Sequence, residues 1–122
     1  MNEGETFRAA AATRVLVKDG AYGTMIQQAG ISDYGGTLGL AADQKGNNDL
    51  LNLTRPDLIE AICQKFADAG ADLLATNTFN ANAISQSDYC EDAAALVETR
   101  NREAARITRL VAERSPGKRW VA

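Results

Sequence analysis

Histidine is absent from this 122-residue sequence, and cysteine is scarce. The absence of histidine removes the commonest general base and the commonest metal ligand of proteins. The two cysteines, Cys63 and Cys90, stand 27 positions apart and neither has a second cysteine nearby. This spacing fits neither a zinc site nor a disulfide framework. We therefore expect both to be ordinary buried or half-buried thiols.

Long apolar runs and clusters of positive charge are missing as well. No run approaches the roughly 20 residues that a membrane-spanning helix needs. The net charge is −3, with Lys and Arg scattered along the chain, so the sequence offers no footprint for nucleic acid or an anionic membrane. Residues 1–13 carry acids where a signal peptide needs positive charge, and we expect a flexible leader on a cytoplasmic protein.

The composition that remains, 45% hydrophobic and 24% charged, is typical of a globular chain. The length fits one small domain or a part of a larger one.

Short apolar segments alternate with amphipathic stretches. The segments 14–18, 71–76 and 119–122 predict three buried strands. A helix is predicted between them from a cap at Thr54 to a terminating Gly70, and a second main helix from about residue 90 to residue 114. This order is typical of parallel βαβ units, in a (β/α)8 barrel or a doubly wound sheet. Because three strands leave sheet edges open, it also favours a part of a larger fold.

The connection 20–52 between the first strand and the first main helix is rich in glycine and too long for an idle loop. We predict one short helix in it, at residues 24–29, and a cluster of turns at residues 45–49. The pattern Gly20-x-x-Gly23 is neither the dinucleotide fingerprint nor a P-loop, so nucleotide binding has weak support.

Polar residues follow the first two predicted strands, where parallel α/β folds gather their reactive groups. Asp19 and Gly20 come after the first strand, and the run Thr76, Asn77, Thr78 comes after the second. Asp19 could hold a ligand ammonium while Gly20 lets backbone amides approach a carboxylate, which would suit an amino acid. The residues support equally the alternative that this Asp-Gly pair only turns the chain.

The run after the second strand also has two interpretations. Asn77, Thr78 and Asn80 could position a ligand, but the residues alone favour capping of the following helix. We expect Phe79 and Trp120 to lie in the core and not to form a stacking platform.

Three longer stretches carry a resemblance: residues 17–27 (VKDGAYGTMIQ), 45–56 (KGNNDLLNLTRP) and 69–80 (AGADLLATNTFN). From residue 14 to residue 122 the chain resembles the homocysteine S-methyltransferase family. The stretch 45–49 is similar to the cobalamin-dependent branch and not to the betaine-dependent relatives. The chain departs from the usual pattern at Lys18, where an apolar residue is frequent, and at Ala75, where Glu is frequent.

The resemblance implies a (β/α)8 barrel, of which residues 14–122 would form the first two βα units and the start of the third strand. Asp19 would bind the ammonium of homocysteine, and Gly20 would lie beside its amino-acid backbone. Thr76, Asn77 and Thr78 would line the same pocket. No catalytic residue is assigned within this chain.

The resemblance also implies cofactors and partners. The family's zinc is held by three cysteines late in the barrel, which match neither Cys63 nor Cys90. Zinc and cobalamin would then belong to a longer parent, in which the zinc-bound homocysteine thiolate takes a methyl group from methylcobalamin. The partners would be homocysteine, the rest of the barrel, and folate and cobalamin modules. We expect this chain to be inactive by itself.

Two alternatives stay open at this stage. The chain could be a free-standing α/β protein, or a remnant, that binds an amino acid without catalysis. It could also be a relative that uses another methyl donor, although residues 45–49 argue against that.

Overall fold

The computed structural model of this protein describes residues 1–40, 43–89 and 95–122. Helices dominate this part of the chain, with short parallel strands between them. In chain order the elements are α1 (Glu3–Ala11), α2 (Tyr22–Ala29), a 3₁₀ turn (Gly36–Leu38), a second 3₁₀ turn (Asn48–Leu50), α3 (Leu51–Thr54), α4 (Pro56–Asp68), β1 (Leu73–Leu74), α5 (Ala83–Gln86), α6 (Val97–Arg114) and β2 (Trp120–Val121).

Helix α4 is the first main helix that the sequence predicts, and local signals set both of its ends. Pro56 occupies the first turn, where its missing N–H costs no helical hydrogen bond. At the other end Gly70 has a φ of +105°. The Gly70 N–H donates to the carbonyl of Ala67 and the Ala71 N–H to that of Phe66, which is the Schellman closure. The predicted stop at Gly70 is therefore confirmed.

The predicted cap of α4 is wrong. Arg55 is the N-cap residue, and Thr54 is the last residue of α3. The Thr54 hydroxyl donates to the carbonyl of Tyr34, 2.8 Å away, and so fixes the glycine-rich connection to α3. The short helix predicted inside that connection is confirmed as α2, which begins two residues earlier than predicted.

Helix α6 is the second main helix, and it packs against α4. The predicted range began near residue 90; residues 90–94 lie outside the described residues, and with them Cys90 and Ala93. At the surface the Arg114 side chain joins the two helices, with Nη1 2.6 Å from Glu60 Oε1 and Nε 2.7 Å from Gln64 Oε1. The buried positions of α6 are Arg100, Ala104, Ile107, Thr108, Val111 and Ala112.

The strands pair in parallel. Leu73 and Leu74 of β1 face Trp120 and Val121 of β2, and on the other side of β1 a single parallel bridge joins Lys18 to Leu73. The second and third predicted strands are thus confirmed, although each is shorter than predicted.

The first predicted strand, residues 14–18, forms only the parallel bridge at Lys18 and no regular strand. The prediction that this segment is buried is wrong. Val15 is 85% exposed and Val17 is 55% exposed, because the segment lies at the edge of the described sheet. Hydrogen bonds from the Asp72 and Leu73 N–H groups to the Val17 carbonyl still hold it against β1.

The core consists of two clusters between the helices and the sheet. Tyr22 and Phe66 pack against both of them and so join them. The first cluster contains Ile26, Tyr34, Leu51, Ile59, Ile62 and Ile107, and the second contains Cys63, Ala67, Ala71, Leu74, Val111 and Ala112.

The segment predicted as a flexible leader contains helix α1. Its start is a capping box: Asn2 Oδ1 accepts the Glu5 N–H, and Glu5 Oε2 accepts the Asn2 N–H. The helix reaches the amino-terminal side of β2, where Phe7 meets Trp120 edge-on with ring centroids 5.7 Å apart. Trp120 is buried, as predicted.

These elements form the parallel α/β arrangement that is expected of the first units of a (β/α)8 barrel, so the predicted fold class is confirmed. Among the residues that the structure describes, none of the helices combines the length and apolar character that crossing a membrane requires.

Candidate functional site

A cavity of about 330 Å³ opens where residues 14–18 and β1 end. Its volume is at the lower end of the roughly 300–1,000 Å³ that small-molecule sites span. It lies at the carboxyl ends of the parallel strands, where such folds place their ligands. The described lining residues are Lys18, Gly20, Ala21, Tyr22, Gly23, Gly46, Asn48, Asp49, Ala75, Thr76, Asn77, Thr78, Phe79 and Asn80. Four of the five predicted site residues are among them: Gly20, Thr76, Asn77 and Thr78.

Asp19, the fifth, lies beneath the cavity and not on its wall. Its side chain is 0% exposed. Oδ2 accepts the N–H of Ala75 at 2.9 Å, and Oδ1 accepts a hydrogen bond from the Lys18 ammonium at 3.1 Å. The carboxylate therefore joins the ends of two neighbouring strands and holds the Lys18 side chain at the cavity.

Gly20 is needed for packing as well as for the cavity wall. A Cβ atom at this position would lie 2.8 Å from Cε1 of Phe66, which is closer than real Cβ contacts. Next to it the Tyr22 hydroxyl donates to the carbonyl of Ala75 at 3.2 Å, and burial raises the pKa of this hydroxyl. The loop after the first strand segment is thus tied to the end of β1.

The loop after β1 is held by its own polar groups. The hydroxyl oxygens of Thr76 and Thr78 lie 2.7 Å apart and share a hydrogen bond, while the Thr76 N–H donates to the Ala122 carbonyl beyond β2. The Asn77 Nδ2 donates to the carbonyl of Asn48 at 2.9 Å. The capping interpretation of Asn77, Thr78 and Asn80 is wrong, because α5 is capped by Asn82, which lies further along the loop.

Asp49 is a cavity residue that the sequence prediction missed, since residues 45–49 were predicted as turns. It lies on the second 3₁₀ turn and is 2% exposed. Its Oδ2 accepts the N–H of Asn80 at 2.6 Å and so closes the β1 loop over the cavity. Burial raises the pKa of the Asp49 carboxyl, and hydrogen bonds from Asn80 and Phe79 together with the charge of Arg100 offset part of that rise.

Buried side-chain amides connect the turn that contains Asp49 to the loop after β1. The Asn52 Nδ2 donates to the carbonyls of Asp49 and Asn77, both at 2.8 Å. Asn47 extends this support, because its Nδ2 donates to the Oε1 atoms of Gln44 and Gln86. No local pattern reports the bonds from Asn52 to Asn77 and from Asn47 to Gln86, since they join positions 25 and 39 residues apart.

Phe79 stands at the cavity mouth and is 93% exposed, so its predicted place in the core is wrong. Its neighbour Asn80 is held through its backbone, which leaves the aromatic ring outside the packed loop.

The zinc that the resemblance implies does not fit the described residues. They contain no group of three or more His, Cys, Asp or Glu side chains placed to bind a metal. Cys63 is a free, buried thiol on α4, and burial raises its pKa, which opposes the thiolate form that zinc requires. Its prediction as an ordinary buried thiol is confirmed.

A comparison with protein families is consistent with this geometry. Residues 16–122 match the model of the homocysteine S-methyltransferase family. The matched range contains the whole cavity, from Lys18 to Asn80.

Proposed function

The chain belongs to the homocysteine S-methyltransferase family, and we propose that its cavity binds homocysteine for methyl transfer to the homocysteine thiol. The observation that carries this proposal is the position of the cavity. It is built from the loops after the first two parallel strand segments, and both loops lie inside the family match.

In this proposal the chain binds and orients the amino acid. The hydroxyls of Thr76 and Thr78 and the amide of Asn77 are hydrogen-bonding groups on the cavity wall. Their hydrogen bonds to each other and to neighbouring segments fix them before a ligand arrives, which lowers the entropy cost of binding.

We place the chain in the cobalamin-dependent branch, as the homocysteine-binding part of a methionine synthase. The support is the stretch 45–49, on which the resemblance to that branch depends. Three of its residues, Gly46, Asn48 and Asp49, line the cavity, so the stretch lies where it can affect ligand binding.

We propose that zinc and cobalamin are bound by other parts of a longer protein, which would contain the rest of the barrel and the folate and cobalamin modules. Because the described residues do not fit a zinc site, we assign them no step of the methyl transfer beyond holding homocysteine.

The test is a methyl-transfer assay on the protein as its gene encodes it. We expect methionine to form from homocysteine with methylcobalamin as donor and not with betaine. Thr76→Val removes a cavity hydroxyl, and we expect it to raise the KM for homocysteine about 3- to 10-fold, the loss of one ordinary hydrogen bond.

A matched control is Thr108→Val. Its hydroxyl donates to the Ala104 carbonyl inside α6, away from the cavity, so the KM for homocysteine should not change. A failure to form methionine from homocysteine with any methyl donor would contradict the proposed function. Formation with betaine and not with methylcobalamin would keep the family function but remove the chain from the cobalamin-dependent branch.

A further inference from the structure

Gln86 is a buried amide next to the cavity that the proposed function does not use. It is the last residue of α5 and is 0% exposed, and it is not among the described residues that line the cavity. Burying an amide is unfavourable unless its polar atoms find hydrogen-bond partners, and glutamine is mostly exposed in proteins. The role of Gln86 therefore follows from the groups that its amide contacts.

Both ends of the Gln86 amide contact segments that form the cavity. Its Nε2 donates to the carbonyl of Asn80 at 2.7 Å, and its Oε1 accepts from Asn47 Nδ2 at 2.9 Å. Asn80 lines the cavity from the loop after β1. Asn47 lies between Gly46 and Asn48, which line the cavity from the stretch 45–49. A single side chain outside the cavity thus joins two segments of its wall.

The backbone of Asn80 is held on both sides. Its N–H donates to Asp49 Oδ2 at 2.6 Å, and its carbonyl accepts the bond from Gln86. These two groups belong to the peptide units on either side of the Asn80 Cα, so the two bonds together restrict both backbone dihedral angles of this residue. The end of the loop that carries Thr76, Asn77 and Thr78 is therefore fixed before a ligand binds.

The fold does not depend on Gln86 alone for these contacts. The Asn80 carbonyl also accepts the N–H of Asn82 at 2.9 Å, and Asn47 Nδ2 also donates to Gln44 Oε1 at 3.0 Å. Loss of the Gln86 amide would leave each partner with one hydrogen bond. We therefore expect its removal to affect the position of the loop more than the stability of the protein.

We propose that Gln86 is a positioning residue for homocysteine binding. It holds the loop after β1 against the stretch 45–49, acts through the Asn80 backbone, and does not itself contact the ligand. This inference rests on the proposed function, because the ligand whose binding Gln86 supports is the homocysteine of that proposal.

The first test is Gln86→Met in the methyl-transfer assay on the protein as its gene encodes it. Methionine keeps an unbranched side chain of similar length and removes both hydrogen bonds. We expect the KM for homocysteine to rise about 3- to 10-fold, the loss of one ordinary hydrogen bond, with kcat within about twofold of the unmodified protein. A variant that was only less stable would give a smaller active fraction, which lowers the apparent kcat and leaves KM unchanged.

The second test is rescue by Gln86→Glu. A protonated carboxyl has one donor for the Asn80 carbonyl and one acceptor for Asn47, whereas a carboxylate has no donor. Burial raises the pKa of a carboxyl, so at about pH 6 the KM of Gln86→Glu should lie closer to the unmodified value than that of Gln86→Met, and it should rise toward about pH 8.5. Each KM is divided by that of the unmodified protein at the same pH, because Asp49, which contacts Asn80, and the substrate also titrate.

Ser115→Ala is the matched control for loss of a buried hydrogen bond. Ser115 is 7% exposed, and its Oγ donates to the Val111 carbonyl at the end of α6, at 2.7 Å and outside the cavity. We expect a lower urea midpoint in this variant, with KM and kcat for methyl transfer unchanged.

An unchanged KM in Gln86→Met, with or without a lower kcat, would overturn the inference while the proposed function stood. A KM in Gln86→Glu as high as that of Gln86→Met at pH 6 would also overturn it. If the unmodified protein formed no methionine from homocysteine with any methyl donor, the proposed function would fail and the inference with it.

Discussion

Asn52 joins the turn at Asp49 to the loop after β1 at Asn77, and its replacement tests how these two sides of the cavity are held together. Its side chain is 0% exposed, and Nδ2 donates to the carbonyls of Asp49 and Asn77. Asn52→Leu keeps the number and branching of the side-chain heavy atoms and removes both donors. The carbonyls of Asp49 and Asn77, which are both buried residues, would then lose a partner.

The expected cost follows from these contacts. A buried polar group without a partner costs about 1–3 kcal/mol. Two such carbonyls would cost about 2–6 kcal/mol, but Asn52 Oδ1 is itself buried without a hydrogen-bond partner among the described residues, and leucine removes that atom. The carbonyls of a loop can also turn partly toward water. We therefore expect a net loss of about 1–3 kcal/mol in the free energy of unfolding.

The assay is urea unfolding followed by circular dichroism, with homocysteine titration of the folded variant. Asn101→Leu is the matched control, since Asn101 Nδ2 also donates to two carbonyls, those of Ala81 and Val97, but outside the cavity. Both variants should lose stability, and Asn52→Leu alone should lose homocysteine affinity. Equal homocysteine affinity in the two variants would refute the argument that Asn52 shapes the cavity.

Two further predictions concern Gly20 and Asp72. Gly20→Ala should lower the free energy of unfolding, measured in urea, by about 1–3 kcal/mol, because the new Cβ would lie 2.8 Å from the Phe66 ring. The loss should be smaller in a Phe66→Leu background. An unchanged unfolding midpoint in Gly20→Ala would contradict this prediction. Hydrogen bonds from Arg14 and from the Val17 N–H lower the pKa of the Asp72 carboxyl. The stability that this carboxylate contributes is therefore present above its unfolded pKa, near 3.8, and is lost as the pH falls through its folded pKa. Asp72→Asn should therefore weaken the pH dependence of the unfolding midpoint in this acid range, and parallel curves for the two proteins would oppose this assignment.

The main helices were predictable because their signals are local. Pro56 and Gly70 bound α4 through backbone constraints that act within a few residues. The apolar positions of α6 recur at the helical period, whatever they pack against. Helix α1 could also have been predicted, since Asn2 and Glu5 have the spacing of a capping box.

The cavity was predictable in part. Gly20 and the run Thr76 to Thr78 were found because the carboxyl ends of parallel strands meet at one edge. The position of Asp19 beneath the cavity depends on its hydrogen bond to Ala75, 56 residues away. No local pattern reports such a contact.

Asp49 is a second residue whose place at the cavity depends on a contact between distant segments. A cluster of Lys, Gly, Asn and Asp has the composition of a turn, and the chain does turn there. What makes Asp49 a cavity residue is its bond to Asn80, which forms only when β1 brings the next loop alongside.

The most direct test of the central claim is a crystal structure of the protein with L-homocysteine bound. We expect homocysteine in the cavity between the loop after the first strand segment and the loop after β1. Homocysteine bound elsewhere, with the cavity unoccupied, would contradict the account as a whole.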